Sequence, residues 1–190
     1  MNLSFRPATI IDAPVIEESA RRIWQAHYPS IITLEQIDYM LTTRNSAQAI
    51  AAAINGGEQY FLAYSYNEPI GFASLAEREH DYFLNKFYVD VNRHRTGIGS
   101  LFFAFLLNEM DGNKPIRLQV NRQNIKAINF YFKSGFVIES TGDFDIGNGY
   151  QMNDFVMVRP STNSGWQELL NSWPACRTSA RYSGQHCAVR

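Results

Sequence analysis

An apolar strand, a glycine-rich loop and an apolar helix follow one another between residues 82 and 110, and this order limits the folds open to the chain. YFLNKFYVDV has the composition of a strand, and SLFFAFLLNEM is apolar on nearly all sides, as in a buried helix. Glycines at such a junction let successive backbone amides point into one concavity, to which the helix adds the positive end of its dipole. We therefore predict a pyrophosphate cradle formed by His94, Arg95, Thr96, Gly97, Ile98, Gly99 and Ser100.

Side chains around this loop add to its capacity for phosphate. Arg93 and Arg95 can supply charge-assisted hydrogen bonds, and Thr96 and Ser100 offer hydroxyl donors. A glycine pair here also suits a plain strand-to-helix turn, in which glycines serve close packing. Two standard phosphate loops are excluded, because no Gly-Lys-Ser/Thr ending follows and Phe102 stands where the dinucleotide fingerprint needs a third glycine.

The other elements predict one mixed α/β domain over residues 1–158. Helical spacing and end signals predict three early helices, at 13–28, from 33 onward and at 47–54. Short strands are predicted at 3–6, 59–66, 70–77, 82–91 and 115–121, and a helix at 124–133. Residues 136–158 read as two strands joined by GNGY, whose Gly and Asn suit a hairpin turn. The result is helices first, an antiparallel meander, then strand, helix and two strands.

Composition narrows the possible partners. The 17 Lys+Arg balance 18 Asp+Glu, so no basic field is available to hold nucleic acid. No apolar run is long enough for a signal peptide or a membrane span, which predicts a cytoplasmic protein with no membrane partner. Both cysteines, Cys176 and Cys187, fall in the last fifteen residues, so we expect neither a disulfide framework nor a metal site. Residues 159–190 are rich in Ser, Thr, Asn and Arg and are predicted to be a loosely structured extension with at most a short helix at 166–173.

Two segments resemble motifs of the GNAT N-acetyltransferases. LNKFYVDVNRHRTGIGS resembles the family's coenzyme A-binding motif, in which a strand ending in Val precedes the loop glycines, although His94 stands where Arg or Gln is usual. LQVNRQNIKAINFYFKSGF resembles the second family motif, a strand followed by a helix that closes in Gly-Phe. The matching residues are Leu118, Val120, Asn124, Ala127, Tyr131, Gly135 and Phe136. With a similar opening strand and terminal hairpin, the resemblance spans about residues 3–158.

The resemblance implies a GNAT-type fold: a mostly antiparallel sheet with a central, parallel, splayed strand pair flanked by helices. It implies acetyl-CoA as co-substrate, with direct transfer of the acetyl group in a ternary complex to a primary amine of a small molecule, polyamine or peptide. A homodimer is expected because dimers are common in the family. The alternatives are a GNAT-like module that binds acyl-CoA without turnover and a nucleotide-dependent enzyme that uses the loop for ATP.

Particular roles also follow from the resemblance. Tyr131 is implied as the acid that protonates the coenzyme A thiolate, although its apolar neighbours would also suit a core tyrosine. Backbone groups near Val89 and Val91 are implied to pair with the pantetheine amides as a false strand would. Asn124 is implied to contact the pantetheine arm or the phosphates, and an N-cap is an equally good reason for asparagine there.

The general base is the open question. Some family members carry Glu six residues before the strand-ending Val, but this chain has Phe83. Three groups at the preceding turn lie too far along the strand: Glu77, Glu79 and His80. Deprotonation through ordered water is a hypothesis, with Asn85, His27 or Glu35 nearby. Three hairpin carboxylates could attract a cationic amine, but polar hairpin residues are usually just solvated: Asp143, Asp145 and Asp154.

Overall fold

Seven strands and five α-helices form the part of the chain that the computed structural model describes, residues 2–93 and 96–161. The strands are β1 (Leu3–Pro7), β2 (Gln59–Ser65), β3 (Glu68–Glu77), β4 (Tyr82–Val89), β5 (Ile116–Asn121), β6 (Val137–Gly147) and β7 (Tyr150–Arg159). The helices are α1 (Ala13–His27), α2 (Leu34–Arg44), α3 (Ala47–Asn55), α4 (Ile98–Asn108) and α5 (Ile125–Lys133). The predicted C-terminal extension lies almost wholly outside the described residues, as do its possible helix at 166–173 and both cysteines.

The strands form one sheet in the order β1-β2-β3-β4-β5-β7-β6. Neighbouring strands are antiparallel except for β4 and β5, which run parallel at the centre. These two strands pair only at their starts, where Tyr82 faces Ile116 and Phe83 faces Arg117. They separate beyond those residues, so the predicted splayed, parallel pair is confirmed.

Helices cover both faces of the sheet and divide its core in two. One cluster packs α1, α2 and α3 against one face, around the buried side chains of Ile16, Trp24 and Phe72. The other packs α4 and α5 against the opposite face, around Phe102 and Phe136. Because side chains alternate along each strand, successive strand residues serve the two cores in turn.

Local signals define most of the helix ends. The Thr33 hydroxyl accepts a hydrogen bond from Gln36 N, which begins α2 as predicted. The Gln36 side chain does not complete the capping box, since its Nε2 donates to Gln151 O at 3.1 Å and ties α2 to the terminal hairpin. Asp12 is the N-cap residue of α1, but its carboxylate accepts from Thr9 N and pairs with Arg6.

The strand before the glycine loop ends at Val89, as the resemblance to the coenzyme A-binding motif implies, although the apolar pattern continues to Val91. Val89 is the last residue of β4, and Val91 begins a short 3-10 turn that runs to Arg93. The buried Asp90 causes the change of direction, because its Oδ1 accepts a hydrogen bond from Asn92 N at 3.0 Å. Arg22 of α1 pairs with the same carboxylate at 3.1 Å, so the turn is anchored to a helix.

Candidate functional site

A cleft of about 970 Å³ opens where β4 and β5 separate. Residues 84–89 of β4 form one wall, and residues 119–121 of β5 form the other. A backbone edge that leaves its neighbouring strand exposes unpaired N–H and C=O groups, which an extended ligand can use. The cleft therefore has the shape and the hydrogen-bonding edges for a long, chain-like molecule.

A β-bulge lies in the β4 wall of this cleft. Ser74 of β3 faces Lys86 and Leu75 faces Leu84, so Asn85 is the extra residue. Its side chain donates to Glu58 Oε1 at 2.8 Å and is held away from the ladder. A bulge leaves one residue without ladder partners and re-aims the local backbone. It therefore provides backbone groups part-way along the wall of the cleft.

The glycine loop forms one end of the cleft. Gly97 is the N-cap of α4 with φ of +82°, in the left-handed region, and a Cβ there would meet no heavy atom within 4 Å. The first helical bond runs from Leu101 N to Gly97 O, so the amides of residues 98–100 have no acceptor within the helix. Gly97, Gly99 and Ser100 line the cleft, so these amides are open to a ligand there, and phosphate binding by the loop stays a prediction. His94 and Arg95 lie outside the described residues.

Gly99 also has a packing role. A Cβ at this position would lie 3.4 Å from Phe130 Cε2, which is tighter than most side-chain contacts. Phe130 stacks on Phe87 of β4 with ring centroids 5.4 Å apart, so α4, α5 and the strand meet here. The packing explanation for the glycine pair therefore holds for Gly99, whereas the positive φ explains Gly97.

The polar side chains near the loop are divided between internal contacts and the cleft. Arg93 pairs with Glu68 at 3.1 Å, and Thr96 Oγ1 donates to Arg93 O at 2.5 Å, which braces the turn. Lys126 and Lys133 of α5 are exposed and line the same cleft as the glycine loop. Sequence reasoning missed these two lysines, although their spacing of seven residues places them on one helix face.

Tyr131 reaches the cleft from α5. It is 7% exposed, and burial raises the pKa of its phenol well above the ordinary value, with a further rise from Tyr28. Asn124 caps the same helix, since its Oδ1 accepts from Ala127 N at 3.3 Å, and the same oxygen lies 3.3 Å from His27 Nε2. Asn124 therefore connects α5 to α1 across the cleft while it also lines the cleft.

Aromatic rings from the other side of the sheet complete the middle of the cleft. Tyr28 stacks on Trp24 with centroids 4.4 Å apart, and Tyr88 of β4 meets both rings at 5.9 and 6.5 Å. Burial raises the pKa of Tyr28 to about 12, an effect tempered by hydrogen bonding with Tyr88 and Asn124. These phenols stay neutral at physiological pH and can act only as proton donors or hydrogen-bonding groups.

Comparison with known proteins identifies the family to which this chain belongs. A family model of the acetyltransferase (GNAT) domain matches residues 30–157. An uncharacterised N-acetyltransferase of Mycobacterium tuberculosis is 30% identical over 152 residues, which cover 78% of this chain and 97% of that protein. The chain belongs to the GNAT family of acetyltransferases. The family and the fold predicted from the sequence are thereby confirmed.

Two GNAT relatives from Thermoplasma acidophilum have more specific names. A spermidine N(1)-acetyltransferase is 26% identical over 152 residues, covering 76% of this chain and 94% of that protein. The crystal structure of a PaiA N-acetyltransferase in complex with coenzyme A superposes with a TM-score of 0.70 and 25% identity. It covers 84% of this chain and 99% of that structure, so the likeness extends over the whole GNAT fold.

Asp154 is the one hairpin carboxylate that enters the GNAT cleft among the three that the sequence pointed to. It is 3% exposed and lines the cleft, and burial raises its pKa to about 6 despite the nearby charge of Arg122. Asp143 and Asp145 are exposed, and they accept hydrogen bonds from Arg122 and Gly147 N respectively. No signal in the sequence separates the three, because their difference comes from packing against residues distant in the chain.

The other candidate bases lie in varied places. Glu77 pairs with Lys114, and Glu79 lies beside His80 on an exposed turn outside the cleft. Phe83 and Asn85 line the cleft, as does His27, but Glu35 does not. The structure thus brings Tyr131, Asn124 and the loop glycines together and leaves the turn carboxylates apart.

The end of the cleft away from the glycine loop lies between α2, α3 and β4. Its charged lining residues are Arg44, Glu58 and Lys86. Burial lowers the pKa of Lys86, while Glu58 raises it and Arg44 lowers it further. With Asp154, which also lines the cleft, two basic groups are accompanied by two carboxylates, so this end carries charges of both signs.

The described residues contain no group of three or more His, Cys, Asp or Glu side chains arranged to hold a metal ion. Among the same residues, no helix is long and apolar enough to cross a membrane.

Proposed function

We propose that this GNAT protein is an acetyl-CoA-dependent N-acetyltransferase that acetylates a primary amine by direct attack in a ternary complex. The separation of β4 from β5, with the glycine loop at one end of the resulting cleft, is the observation that carries the proposal. The relative of known structure that binds coenzyme A supports it.

The glycine-loop end suits the diphosphate of the co-substrate. Amides of Ile98, Gly99 and Ser100 would bind phosphate oxygens, with the helix dipole of α4 behind them. Lys126 and Lys133 would add charge from α5. The predicted contributions of His94, Arg95 and Thr96 stand beside these, with the Thr96 hydroxyl already used to brace the loop.

The β4 wall suits the pantetheine arm. From Leu84 to Tyr88 its backbone has no β5 partner, so it can pair with the amides of the arm as the missing strand would. We expect this pairing to end near Val89, with Val91 contributing from the turn. A backbone N–H at the Asn85 bulge would bind the thioester oxygen, where negative charge develops during attack.

Tyr131 would act as the proton donor to the leaving thiolate. The burial that raises its pKa keeps the phenol protonated, so a donor is always present at neutral pH. Holding amine and thioester together in the cleft supplies most of the remaining acceleration, since no covalent enzyme intermediate is needed.

The end of the cleft away from the glycine loop is where the acceptor would bind. Because the co-substrate fills the glycine-loop end, the amine enters between α2, α3 and β4, where Arg44 and Lys86 lie. Arg44 and Lys86 can bind a carboxylate or phosphate, while Glu58 and Asp154 can bind the ammonium group of the acceptor. We therefore propose that the acceptor carries an anionic group beside its amine, unlike the spermidine named for the Thermoplasma relative.

A panel of acceptors tests this function. Thiol release from acetyl-CoA is measured with spermidine, putrescine, amino acids, acidic and basic dipeptides, and phosphoethanolamine. We expect turnover, with phosphate- or carboxylate-bearing amines faster than polyamines. Thermal stabilisation by acetyl-CoA with no turnover on any amine would instead favour the non-catalytic module, and stabilisation by ATP with Mg²⁺ alone would favour the nucleotide-dependent enzyme. Faster turnover of spermidine would overturn the acceptor class but keep the activity.

The cytoplasmic location and the homodimer stay predictions. Size-exclusion chromatography with light scattering tests the second.

A further inference from the structure

The Asp154 carboxylate is buried without the partners that a buried charge requires. Its Oδ1 has no hydrogen-bond partner among the described residues, and the residue is 3% exposed. An unpaired buried carboxylate is costly, and such groups cluster at functional sites. The side chain lines the cleft, and because Oδ1 itself is buried, it is the small exposed part of the side chain that faces this space.

Strand register places Asp154 beside the open part of the gap. It faces Asn121, the last residue of β5, whereas the last residue of β5 paired with β4 is Arg117. The intervening part of β5 borders the cleft. Asp154 therefore lies beside the section of β5 that has left β4.

Asp154 and Tyr131 approach the gap from opposite faces of the sheet. Phe155 and Met157 belong to the core beneath α4 and α5, together with Tyr131. Because strand residues alternate, Asp154 points to the opposite face, where α1 lies, and its charge acts on Tyr28 of that face. Tyr28 in turn acts electrostatically on Tyr131, so the two sides meet across the gap.

We propose that Asp154 is the general base that deprotonates the acceptor amine. The inference rests on the proposed acetyl transfer and supplies the group that the sequence leaves open. The amine enters on the α1–α3 face, where Asp154 lies, and the thiolate leaves on the side of Tyr131.

The proton balance of the reaction is then complete. The bound ammonium gives one proton to the Asp154 carboxylate, and the neutral nitrogen forms a bond to the acetyl carbon while the carbon–sulfur bond breaks. When Tyr131 gives its proton to the thiolate, the second nitrogen proton passes to water, and water returns a proton to the Tyr131 phenolate. Asp154 releases its proton to water, so one amide, one thiol and one free proton result.

The groups around Asp154 set the pH range in which it can work. Tyr28 from the end of α1 is neutral, and His27 lies beside it against Asn124. Arg122, after β5, favours the ionised form, but Asp143 of β6 occupies that guanidinium. Burial outweighs Arg122 and raises the pKa to about 6, which leaves most of the carboxylate ionised at pH 7 and ready to accept a proton.

The experiment compares Asp154→Asn with the same substitution at Asp145, an exposed carboxylate of the same hairpin. Two small nucleophiles of similar size serve as probes beside the best acceptor of the panel: ethanolamine, an ammonium ion at pH 7, and methoxyamine, which is already neutral. D154N should lower kcat/KM about 100-fold for the best acceptor and for ethanolamine, and at most about 3-fold for methoxyamine. It should also abolish the fall in rate of the wild type at acid pH.

Each outcome is decisive. If D154N matches D145N in rate and pH profile, Asp154 is not the base. An equal loss with both probes, accompanied by weaker acetyl-CoA binding in calorimetry, shows a structural role instead. A wild type that turns over no amine at any pH overturns the proposed function itself, and this inference with it. A large loss of rate with ethanolamine and little loss with methoxyamine is the result that a merely structural aspartate cannot produce.

Discussion

The two ends of the cleft are built in different ways. At the glycine-loop end, the binding groups are consecutive backbone amides of residues 98–100, placed by one turn and one helix. At the acceptor end, the groups are side chains that come from α1, α2, β4 and β7. The first depends on local conformation, and the second depends on how the whole sheet and its helices pack.

The two ends of the cleft therefore differ in how easily amino-acid substitutions can change what they bind. A backbone cradle is insensitive to most side chains, so it suits a co-substrate shared by many relatives. An end lined by Arg44, Glu58, Lys86 and Asp154 changes its charge with every substitution. The family as a whole can therefore keep one donor while its acceptors diverge.

The largest loss of activity is expected when the proton donor between the two ends of the cleft is removed. Tyr131→Phe keeps the ring and its packing but removes the hydroxyl. We expect kcat to fall roughly 100- to 1,000-fold, while the affinity for acetyl-CoA stays within about 2-fold of the wild type. Steady-state thiol release and calorimetry measure the two quantities.

Tyr82→Phe is a matched control, because Tyr82 is a buried phenol at the paired start of β4, outside the cleft. Its kcat should stay near the wild-type value. An unchanged rate and pH profile in Y131F would remove Tyr131 from the mechanism and reduce it to the core residue that its neighbours also suggest.

Most of the helix and strand boundaries that the sequence predicts depend on local signals. The Thr33 cap, the early glycine pair after α3 and the spacing of α5 are each determined within a few residues, and the structure agrees with them. The end of β4 at Val89 agrees with the motif, whereas the turn after it depends on contacts of Asp90 with Asn92 and with Arg22, which is distant in the chain. Asp154 could not be separated from its neighbours, since its burial comes from long-range packing.

A second test concerns stability at the acceptor end. Burial raises the folded-state pKa of Asp154 from 3.8 to about 6, so the ionised side chain destabilises the fold, and this cost appears as the pH rises through that interval. Asp154→Asn removes the charge and keeps the shape. We expect its free energy of unfolding to exceed that of the wild type by about 1–3 kcal/mol at pH 8, with the advantage fading below about pH 4.

Urea denaturation across this pH range measures the difference. The exposed Asp145→Asn supplies the baseline, for which no comparable gain is expected. A gain in stability combined with a loss of activity would show that the carboxylate is kept for chemistry. A loss of stability at pH 8 would show instead that Asp154 has a stabilising partner.

A third test addresses the backbone at the glycine-loop end. Gly97→Ala places a Cβ in open space but requires a left-handed conformation that alanine resists by about 1–2 kcal/mol. The loop should relax away from that conformation and misalign the first-turn amides. We expect acetyl-CoA to bind about 5- to 20-fold more weakly in calorimetry, with little change in acceptor preference.

Gly149→Ala isolates the effect of the strain itself. Gly149 also has a positive φ, +77°, and no heavy atom near its Cβ position, but it lies in the β6–β7 turn. Both variants should lose similar stability, and only the first should lose affinity. Equal affinities would mean that the loop amides do not bind the co-substrate.

The smallest expected effect comes from the lysines of α5. Lys126→Ala and Lys133→Ala each remove an exposed charge from the lining of the cleft that the glycine loop also lines. We expect each to weaken acetyl-CoA binding about 2- to 5-fold at low salt, and the loss to disappear near 1 M salt because exposed charges are screened.

Acetyl-pantetheine, which lacks the diphosphate, should bind the wild type and the two variants alike. Lys114→Ala, at the far end of the sheet and paired with Glu77, should leave both ligands unaffected. Equal losses for acetyl-pantetheine and acetyl-CoA would place the lysines beside the arm rather than the phosphates, and the backbone amides would then bind the diphosphate without help from side chains on α5.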